Sequence, residues 1–356
     1  MSKARIDQLL AGFADGDAIS NAAVIIRDAV RAMGHASEIY APMDRVSPPL
    51  RASCRPLDEY APPSDAVSVC HYGISSPATP PFLAARTKKI LIYHNITPPE
   101  FFDGFDDAVA GQLRGARAEL KEVAEQADVV WAVSRFNASE LEGMGVPSVQ
   151  VFELPFDTKR LDTPPDEELL ARRRAPLTTL LFTGRIAPNK RVEDLIQAFA
   201  WYHKSINPQS RLLVVGSNRS CPRYYTMLRM MAGDLDIPNV CLEGFASQAG
   251  ISAYYQVSDL YVCTSEHEGY CLPLLEAMYK GLPVVSRAGG GIPEAMDGAG
   301  VLYDDLHHRQ LAELFHILLS DSGMRERILT GQRERVQRAL SRDLTAEIRA
   351  LLDTAR

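Results

Sequence analysis

The sequence predicts an α/β protein made of two Rossmann-like domains, each with a parallel sheet. Short apolar runs alternate with amphipathic helical stretches over almost the whole chain, which is the pattern of repeated β-α-β units. The alternation stops once, at residues 155–178, where the chain is polar, contains prolines and shows no sustained apolar period. A length of 356 residues suits two or three domains. Two such domains around one linker would leave a central cleft, and ligands of open parallel sheets bind beyond the carboxyl ends of the strands.

The first domain is predicted to span residues 1–157. Apolar residues recur at helical spacing from Ile19 to Met33, and a similar stripe predicts a longer helix at about residues 107–127. Short apolar runs between turn residues predict the strands. They lie at residues 36–40, 66–70, 90–93, 129–133 and 149–152.

The second domain is predicted to span residues 179–335, after a linker at 158–178. Its first strand, at 179–183, leads into Gly184, and a helix follows from about residue 191 to 206. Further strands alternate with helices and lie at residues 211–215, 240–242, 259–263, 283–286 and 300–303. The arginine-rich end of the chain, residues 336–356, reads as helical.

The composition narrows the class of function. A net charge of −7 argues against nucleic-acid binding, because such domains are usually basic. No run of about 18 apolar residues predicts a membrane-spanning helix, and early acidic residues argue against a signal peptide. The six cysteines show no CxxC spacing and several lie in apolar runs, so we expect reduced thiols and no zinc site. These features predict a cytoplasmic protein.

The first candidate site lies where the predicted strand at 179–183 ends. Gly184 permits a tight turn with close backbone approach, and the helix start that follows offers free N–H groups to a phosphate. Arg185 can grip two phosphate oxygens, and Lys190 adds a second positive charge. The segment therefore predicts a diphosphate site, and an exposed basic turn is the alternative.

The second candidate site follows the predicted strand at 259–263 and runs from Glu268 to Glu276 in the sequence EGYCLPLLE. Pro273 suits a helix start, where its missing N–H costs little, so Glu276 would lie about one turn inside the helix. Two carboxylates beside a loop of backbone N–H groups suit sugar recognition, because carboxylates accept hydrogen bonds from vicinal hydroxyls. The alternative is an acidic pair that complements a helix dipole.

Together these motifs resemble those of the family 4 retaining glycosyltransferases, which have the GT-B fold. The pattern GRxxxxK runs from Gly184 to Lys190, and EGYxLPLLEA follows from Glu268 to Ala277. The sequences GLPVV at 281–285 and GGIPE at 290–294 complete the likeness, which covers nearly the whole second half of the chain. The resemblance implies a first domain that binds the acceptor and a second that binds the nucleotide-sugar donor. It also implies that the helix at 336–356 packs back on the first domain.

The resemblance implies a role for each motif residue of the second domain. Arg185 and Lys190 would bind the donor diphosphate and stabilise it as it leaves. Glu268 would contact the transferred sugar, and Glu276 would hold the ribose hydroxyls. The rest of the donor site would comprise Gly184, Gly216, Phe245, Gly269, Tyr270, Cys271 and Leu272. The family needs no divalent metal, because the two cations replace it, so neither a metal nor a cofactor is expected. The acidic pair at 234–236 follows a helix and is not expected to bind one.

The first domain matches the family more weakly. His94 ends a predicted strand in the segment YHNITPP, where the family often has a histidine near the donor sugar and the acceptor. His94 would orient the sugar or share the acceptor proton, and a histidine simply buried at a strand end is the alternative. Asn95 is assigned to the acceptor. Many relatives carry a Gly-Gly pair in the N-terminal loop; here Gly16 would approach the donor phosphate, and Asp17 would meet the acceptor hydroxyl or cap a helix.

The implied activity is transfer of a hexose from a UDP- or GDP-sugar to a hydroxyl of a glycan or polyprenyl-linked acceptor, with retention of the anomeric configuration. Family members with similar GDAI and HNITP segments act in bacterial surface-polysaccharide assembly. Two alternatives stay open: a nucleotide-sugar-binding protein without turnover, and a sugar-nucleotide epimerase of the same architecture. A dehydrogenase is disfavoured, because no GxGxxG follows the first strand.

A lipid-linked acceptor would bring the first domain to the inner face of the membrane. Basic and aromatic residues suited to an anionic surface occur together in one stretch, and a solvated helix face over a core stripe is the alternative. These residues are Phe101, Phe102, Phe105, Arg114, Arg117 and Lys121.

Overall fold

The computed structural model describes residues 4–219 and 221–354, and the chain forms two compact units. The first unit comprises Met1–Glu100, Ala108–Pro155 and Arg342–Arg356. The second unit comprises Phe101–Asp107 and Phe156–Ser341. Each unit carries one parallel sheet with helices packed on it, so the predicted pair of Rossmann-like α/β domains is confirmed.

The sheet of the first unit has seven strands within the described residues. They are β1 (Ile6–Leu10), β2 (Ile39–Ala41), β3 (Arg55–Pro56), β4 (Val67–Tyr72), β5 (Lys88–Tyr93), β6 (Val129–Ala132) and β7 (Gln150–Val151). All neighbours pair in parallel in the order β3-β2-β1-β4-β5-β6-β7. The first helices are α1 (Ala18–Ala32), α2 (Thr79–Ala84), α3 (Asp107–Glu125) and α4 (Arg135–Gly143).

Strand β1 is an inner strand of this sheet, between β2 and β4, although the apolar pattern does not predict it. Its sequence IDQLL places Asp7 and Gln8 in the middle, and both are fully buried. Asp7 pairs with Arg5 at 2.5 Å and accepts a hydrogen bond from the N–H of Glu38 at 3.1 Å. The Gln8 amide donates to the carbonyl of Ala23 at 2.9 Å. Because such partners satisfy the buried polar groups, the strand folds into the core without an apolar run.

The sheet of the second unit has six strands in the part of the chain that the structure describes. They are β8 (Thr178–Thr183), β9 (Ser210–Val215), β10 (Val240–Gly244), β11 (Leu260–Cys263), β12 (Val284–Arg287) and β13 (Val301–Tyr303). All pairs are parallel, in the order β10-β9-β8-β11-β12-β13. The remaining helices are α5 (Glu167–Arg173), α6 (Val192–Trp201), α7 (Pro222–Asp234), α8 (Gln248–Gln256), α9 (Leu272–Tyr279), α10 (Ile292–Met296), α11 (His308–Ser320), α12 (Ser322–Leu340) and α13 (Leu344–Thr354).

The strands predicted in the second half are all present, but the segment predicted as a linker holds more structure than its sequence indicates. Helix α5 lies inside it and is capped by the Asp166 carboxylate, which accepts the N–H of Leu169 at 2.9 Å. Leu169 and Leu170 are buried, and α5 packs against α8. Two turns with one apolar pair are too short to show a helical period.

The C-terminal helices divide between the two units. Helix α12 packs on α9 in the second unit, and α13 packs on α1 in the first unit. Arg342, just before α13, donates to the carbonyl of Glu153 at 3.2 Å and to the carboxylate of Glu347 at 2.6 Å. No helix of the described chain is long and apolar enough to cross a membrane.

The strand order reverses once in each sheet, between β1 and β4 in the first unit and between β8 and β11 in the second. Ligands of open parallel sheets bind beyond the carboxyl ends of the strands at such a reversal. Both candidate motifs of the second unit lie there, because residues 184–190 follow β8 and residues 264–271 follow β11.

Candidate functional site

Three strand ends approach one another closely at the first motif of the second unit. The N–H of Gly184 donates to Val215 O at 3.0 Å, and the N–H of Gly216 donates to Gly244 O at 2.8 Å. A Cβ on Gly216 would lie 1.7 Å from the carbonyl oxygen of Gly184, so only glycine fits there. Phe245 directly follows β10 and is 62% exposed. The predicted residues Gly184, Gly216 and Phe245 therefore lie at the ends of three adjacent strands.

The two predicted cations have different surroundings. Arg185 is exposed, and no hydrogen bond or ion pair engages its guanidinium within residues 4–219 and 221–354. Lys190 ends a short 3-10 turn, Pro188–Lys190, and its ammonium contacts the carboxylate of Glu268. The side chains of this ion pair are 15% and 12% exposed. Arg185 is thus available to an anion, whereas Lys190 is held by a carboxylate.

Hydrogen bonds join the segment after β8 to the loop after β11. The Asn189 amide donates to His267 O at 3.0 Å, and the Thr264 hydroxyl donates to Lys190 O at 3.0 Å. The backbone of each segment therefore helps to set the position of the other. Because these bonds fix the two backbone segments, Lys190 and Glu268 are held close to each other, unlike an ion pair between two freely mobile side chains.

Glycines before and within the GGIPE motif pack against the same loop. A Cβ on Gly289 would lie 2.5 Å from Ser265 O, and one on Gly290 would lie 2.2 Å from Glu268 O. The N–H of Gly291 donates to Glu268 O at 2.8 Å. This close packing fixes the backbone at Glu268 and explains why positions 289 and 290 are both glycine.

Helix α9 begins directly after the loop that carries Glu268 and Gly269. Cys271 precedes the helix in a left-handed conformation, with φ of 76°, and no side chain among the described residues caps the helix start. Pro273 lies in the first turn, as predicted. The free N–H groups of such a start favour an anion, so the backbone around Cys271 and Leu272 suits a phosphate or a sugar oxygen.

Tyr270 anchors this loop through a residue that the sequence does not single out. The Tyr270 ring is buried, and its hydroxyl accepts a hydrogen bond from Arg335 at 2.9 Å. Arg335 lies on α12, is 4% exposed, and also donates to Ala295 O at 2.9 Å. The pattern of α12 gives no signal for it, because Arg335 is one of many arginines in a helix that is polar on most sides.

Glu276 lies on α9, one turn inside the helix as predicted. Its carboxylate accepts a hydrogen bond from the Tyr255 hydroxyl at 3.2 Å, and that hydroxyl lies 3.2 Å from the hydroxyl of Thr183 at the end of β8. Burial raises the pKa of Glu276, and the nearby Arg160 charge opposes that shift. Tyr255 therefore connects the carboxylate to the first motif, and it too is a residue that sequence reasoning does not identify.

A thiol–carboxylate group lies beside the Lys190–Glu268 pair. Cys263, Glu268 and Cys271 each place one potential ligand atom within 4.8 Å of the others. A hydrogen bond with Cys271 lowers the pKa of the Cys263 thiol to about 7, against the opposing effect of burial. Two thiols and a carboxylate are ligands that zinc accepts, but the ammonium of Lys190 already neutralises this carboxylate. A site that works without a metal stays a prediction.

Two candidate residues of the first unit lie in the loop before α1. Gly16 is exposed and has φ of 77°, which favours glycine. The Asp17 carboxylate accepts the N–H of Ser20 at 2.9 Å and its hydroxyl at 2.8 Å, so Asp17 caps α1. Of the two roles open for Asp17, the structure shows the cap.

His94 and Asn95 directly follow β5. His94 is 9% exposed, and its Nε2 lies 2.9 Å from Nδ1 of His71. The sequence pattern does not identify His71 as a candidate residue. Asn95 has φ of 83°, and its amide donates to the side chain of Asn137 at 3.0 Å. His94 is therefore buried as the alternative interpretation expected, and it also belongs to a polar network.

Two residues of the stretch proposed for membrane docking make contacts within the protein or are buried in it. The Arg117 guanidinium donates to Ile96 O at 2.5 Å and to the Glu140 carboxylate at 2.8 Å, and Phe102 is buried. Neither residue is available to a lipid surface in this conformation, because the Arg117 side chain is engaged by its partners and the Phe102 side chain is buried.

Comparison with known proteins finds a family model and several relatives that are similar to this chain. The family model described as "Glycosyl transferases group 1" matches residues 172–335. The chain is 30% identical over 198 residues to the GDP-mannose-dependent alpha-(1-6)-phosphatidylinositol monomannoside mannosyltransferase of Mycolicibacterium smegmatis, across 51% of this chain and 50% of that protein. It is 28% identical over 230 residues to the N-acetyl-alpha-D-glucosaminyl L-malate synthase of Bacillus anthracis, across 64% and 57%. The chain thus spans about half the length of these curated relatives.

Solved structures share the fold of the whole chain. A sucrose-phosphate synthase from Thermosynechococcus elongatus superposes with a TM-score of 0.72 at 19% identity, over 98% of both chains. Anabaena HepE in complex with UDP-glucose gives a TM-score of 0.70 at 20% identity, also over 98% of both chains. At such identities the likeness shows the fold alone, and that fold is the GT-B fold predicted from the motifs.

Proposed function

We propose, on the premise that residues 172–335 match the model of the Glycosyl transferases group 1 family, that the chain transfers a sugar from a nucleotide-diphosphate donor to an acceptor hydroxyl. The observation that carries the proposal is the set of groups at the strand-order reversal of the second unit. An exposed, unengaged Arg185 and the Lys190–Glu268 pair follow β8 and β11 there, within the part of the chain that the structure describes. Cations beside an uncapped helix start suit a diphosphate.

The chemistry follows from the charge that develops on the leaving group. When the bond between the sugar and the diphosphate breaks, negative charge grows on the diphosphate oxygen. Arg185, Lys190 and the N–H groups at the start of α9 would contact the diphosphate once the donor is bound, and would then stabilise this charge as it develops. We propose that these groups do the work that a divalent metal does elsewhere, and that catalysis is independent of metal.

When the donor binds, Lys190 and Glu268 are proposed to exchange their contact with each other for contacts with the donor. With no donor bound, each charge neutralises the other in a mostly buried position. A diphosphate that attracts Lys190 would release oxygens of Glu268 to accept hydrogen bonds from hydroxyls of the transferred sugar. Glu276, held by Tyr255, is proposed to accept hydrogen bonds from the ribose hydroxyls. The Lys190–Glu268 contact thus links phosphate binding to sugar binding.

We propose that the configuration at the anomeric carbon is retained, through attack on the same face from which the diphosphate leaves. In this scheme no covalent glycosyl-enzyme forms. Mass spectrometry of the protein after incubation with the donor, and with a slow donor analogue, tests this step. A stable adduct of one sugar mass on any residue contradicts front-face substitution.

The donor and the acceptor are proposed from the names of the relatives. The name of the Mycolicibacterium relative includes both GDP-mannose and phosphatidylinositol monomannoside. Anabaena HepE binds UDP-glucose in its solved structure. We therefore propose a UDP- or GDP-hexose donor and a glycan or lipid-linked acceptor, with assembly of bacterial surface polysaccharide as the setting. His94 and Asn95 of the first unit are proposed to contact hydroxyls of the sugar or the acceptor, with Gly16 beside the donor phosphate.

Thermal unfolding with UDP, GDP, ADP and dTDP, each with and without EDTA, tests the proposal and identifies the base. A ligand at 100 times its dissociation constant adds about 2.7 kcal/mol to the free energy of unfolding. Sugar nucleotides then distinguish the alternatives. A transferase releases the nucleoside diphosphate and glycosylates an acceptor, an epimerase converts the donor without an acceptor, and a binding protein leaves the donor unchanged.

A further inference from the structure

A row of three buried polar side chains crosses the sheet of the first unit. Gln8 lies in β1, His71 in β4 and His94 directly after β5, with exposed fractions of 0%, 3% and 9%. The strand register pairs Gln8 with Val69 and His71 with Ile92. Each member of the row is therefore two residues beyond the partner of the previous one. Because alternate residues share a face of the sheet, the three side chains lie along one diagonal of the same face.

The hydrogen bonds of this row determine where each hydrogen sits. The Gln8 amide nitrogen donates to Ala23 O at 2.9 Å, which leaves its oxygen as the acceptor that faces His71. That oxygen lies 2.9 Å from Nε2 of His71, so Nε2 carries the hydrogen. Burial lowers the pKa of His71 to about 3, so the ring is neutral and its Nδ1 holds a lone pair. This Nδ1 lies 2.9 Å from Nε2 of His94, which must in turn donate.

The opposite assignment is unfavourable. If His71 carried its hydrogen on Nδ1, its bare Nε2 would face the amide oxygen of Gln8 at 2.9 Å, with two acceptors and no hydrogen between them. Reversing the Gln8 amide would instead place its oxygen against the carbonyl of Ala23. Only one arrangement satisfies every contact in the row, and it leaves Nδ1 of His94 unprotonated.

Nδ1 of His94 is the end of the row and has no partner. Among the described residues no donor reaches this atom, although it is buried. A buried acceptor without a hydrogen bond is unfavourable, so a donor that reaches it is bound selectively. The atom is covered in this structure, and a ligand group reaches it only when the residues around it shift locally. The bond then forms in surroundings of low polarity, where it is strong.

We propose that Gln8 and His71 are positioning residues that keep the hydrogen of His94 on Nε2, so that His94 offers an unprotonated Nδ1 to a hydroxyl of the transferred sugar. The proposal rests on the proposed function and deepens it. Burial and the neighbouring His71 hold the pKa of His94 well below its usual value, so His94 is neutral and its Nδ1 accepts a hydrogen bond from a hydroxyl.

Nitrogen NMR of the histidine side chains tests the tautomer in the protein without any substrate. The wild-type protein is expected to show the hydrogen of His94 on Nε2. In His71→Gln the new amide can donate to Gln8 and accept from His94, so the tautomer of His94 is retained. In His71→Met neither contact exists, and the tautomer is no longer fixed. Gln8→Met breaks the row from its other end and serves if His71→Met does not fold. A wild-type His94 with its hydrogen on Nδ1 overturns the proposal.

Calorimetry tests the contact with the sugar, with UDP-glucose and GDP-mannose compared with UDP and GDP as probes. The gain in affinity that the sugar provides is expected to fall about ten-fold in His71→Met and Gln8→Met, and to stay near wild type in His71→Gln. Affinity for the nucleotides alone should not change. Equal losses in His71→Met and His71→Gln overturn the role of the row. If the wild type binds no nucleotide or sugar nucleotide, the proposed function fails, and with it the sugar contact; the tautomer is then judged by the spectra alone.

Discussion

Replacing His71 with glutamine should make the first unit less sensitive to acid. The pKa of His71 is about 3 in the folded protein, against about 6.5 in an unfolded chain. Because the pKa of His71 is lower in the folded protein, the unfolded chain binds a proton at His71 below about pH 6.5 and the folded protein does not. The contribution of the neutral His71 to the free energy of unfolding is therefore fully present above that pH and is lost as the pH falls towards 3. At pH 5 the difference of 1.5 pH units corresponds to about 2 kcal/mol.

Tryptophan fluorescence gives this prediction a local readout. Trp131 lies in β6 of the first unit and is 1% exposed, whereas Trp201 lies in the second unit and is 45% exposed. In a Trp201→Phe background, urea unfolding followed at Trp131 is compared at pH 7.5 and pH 5.0. His71→Gln should lose about 2 kcal/mol less than its parent between these values, while His316→Gln, at an exposed position, should match the parent. Equal losses in the parent and His71→Gln would refute a neutral, buried His71.

Three further substitutions test the second unit. Gly216→Ala should destabilise it by about 4 kcal/mol or more, because the methyl would meet Gly184 O at 1.7 Å; Gly233→Ala, which has open space around it, should cost nothing. Arg335→Met should cost about 3 kcal/mol through its bonds to Tyr270 and Ala295, and the exposed Arg333→Met should cost far less; equal costs in a urea titration would contradict the anchoring role. A double-mutant cycle of Lys190→Met and Glu268→Gln should give a coupling energy of about 1–3 kcal/mol without ligand, and additive effects would show that the ion pair is not formed.

The motifs of the second unit were predictable because their chemistry lies close together in sequence. Gly184, Arg185 and Lys190 occur within one strand-to-helix turn, and Glu268 and Glu276 within another. Parallel strands bring their carboxyl ends to one edge, so two such turns that follow neighbouring strands must meet. The strand order that makes β8 and β11 neighbours is supplied by the fold.

Residues that act over long separations were not predictable from the sequence. Arg335 reaches Tyr270 across 65 positions, and Gln8 reaches His71 across 63. Arg335 and Gln8 are polar residues in segments whose pattern suggests exposure. Strand β1 itself is not recognisable from the sequence, because Asp7 and Gln8 interrupt its apolar run. Local patterns record propensity and periodicity, whereas partners for buried polar groups come from tertiary contacts.

The role of Asp17 shows the same limit on a smaller scale. A carboxylate before a helix suits a cap and a ligand contact equally well, so the sequence left both open. The two hydrogen bonds that its carboxylate accepts from Ser20 show that Asp17 caps α1. An acceptor contact for Asp17 stays a prediction, and an Asp17→Ser variant, which keeps a capping oxygen, would separate the two roles.

The central claim is that the strand-order reversal of the second unit binds a nucleoside diphosphate through Arg185, without a metal. Isothermal titration calorimetry with UDP and GDP in EDTA, on the wild type, Arg185→Met and Arg229→Met, tests it most directly. Arg229 is an exposed arginine on α7 and serves as the matched control. We predict that one nucleotide binds the wild type and Arg229→Met equally, and that Arg185→Met binds it at least about ten-fold more weakly with an unchanged unfolding midpoint. Binding that needs a divalent ion, or that is the same in all three proteins, would contradict the account.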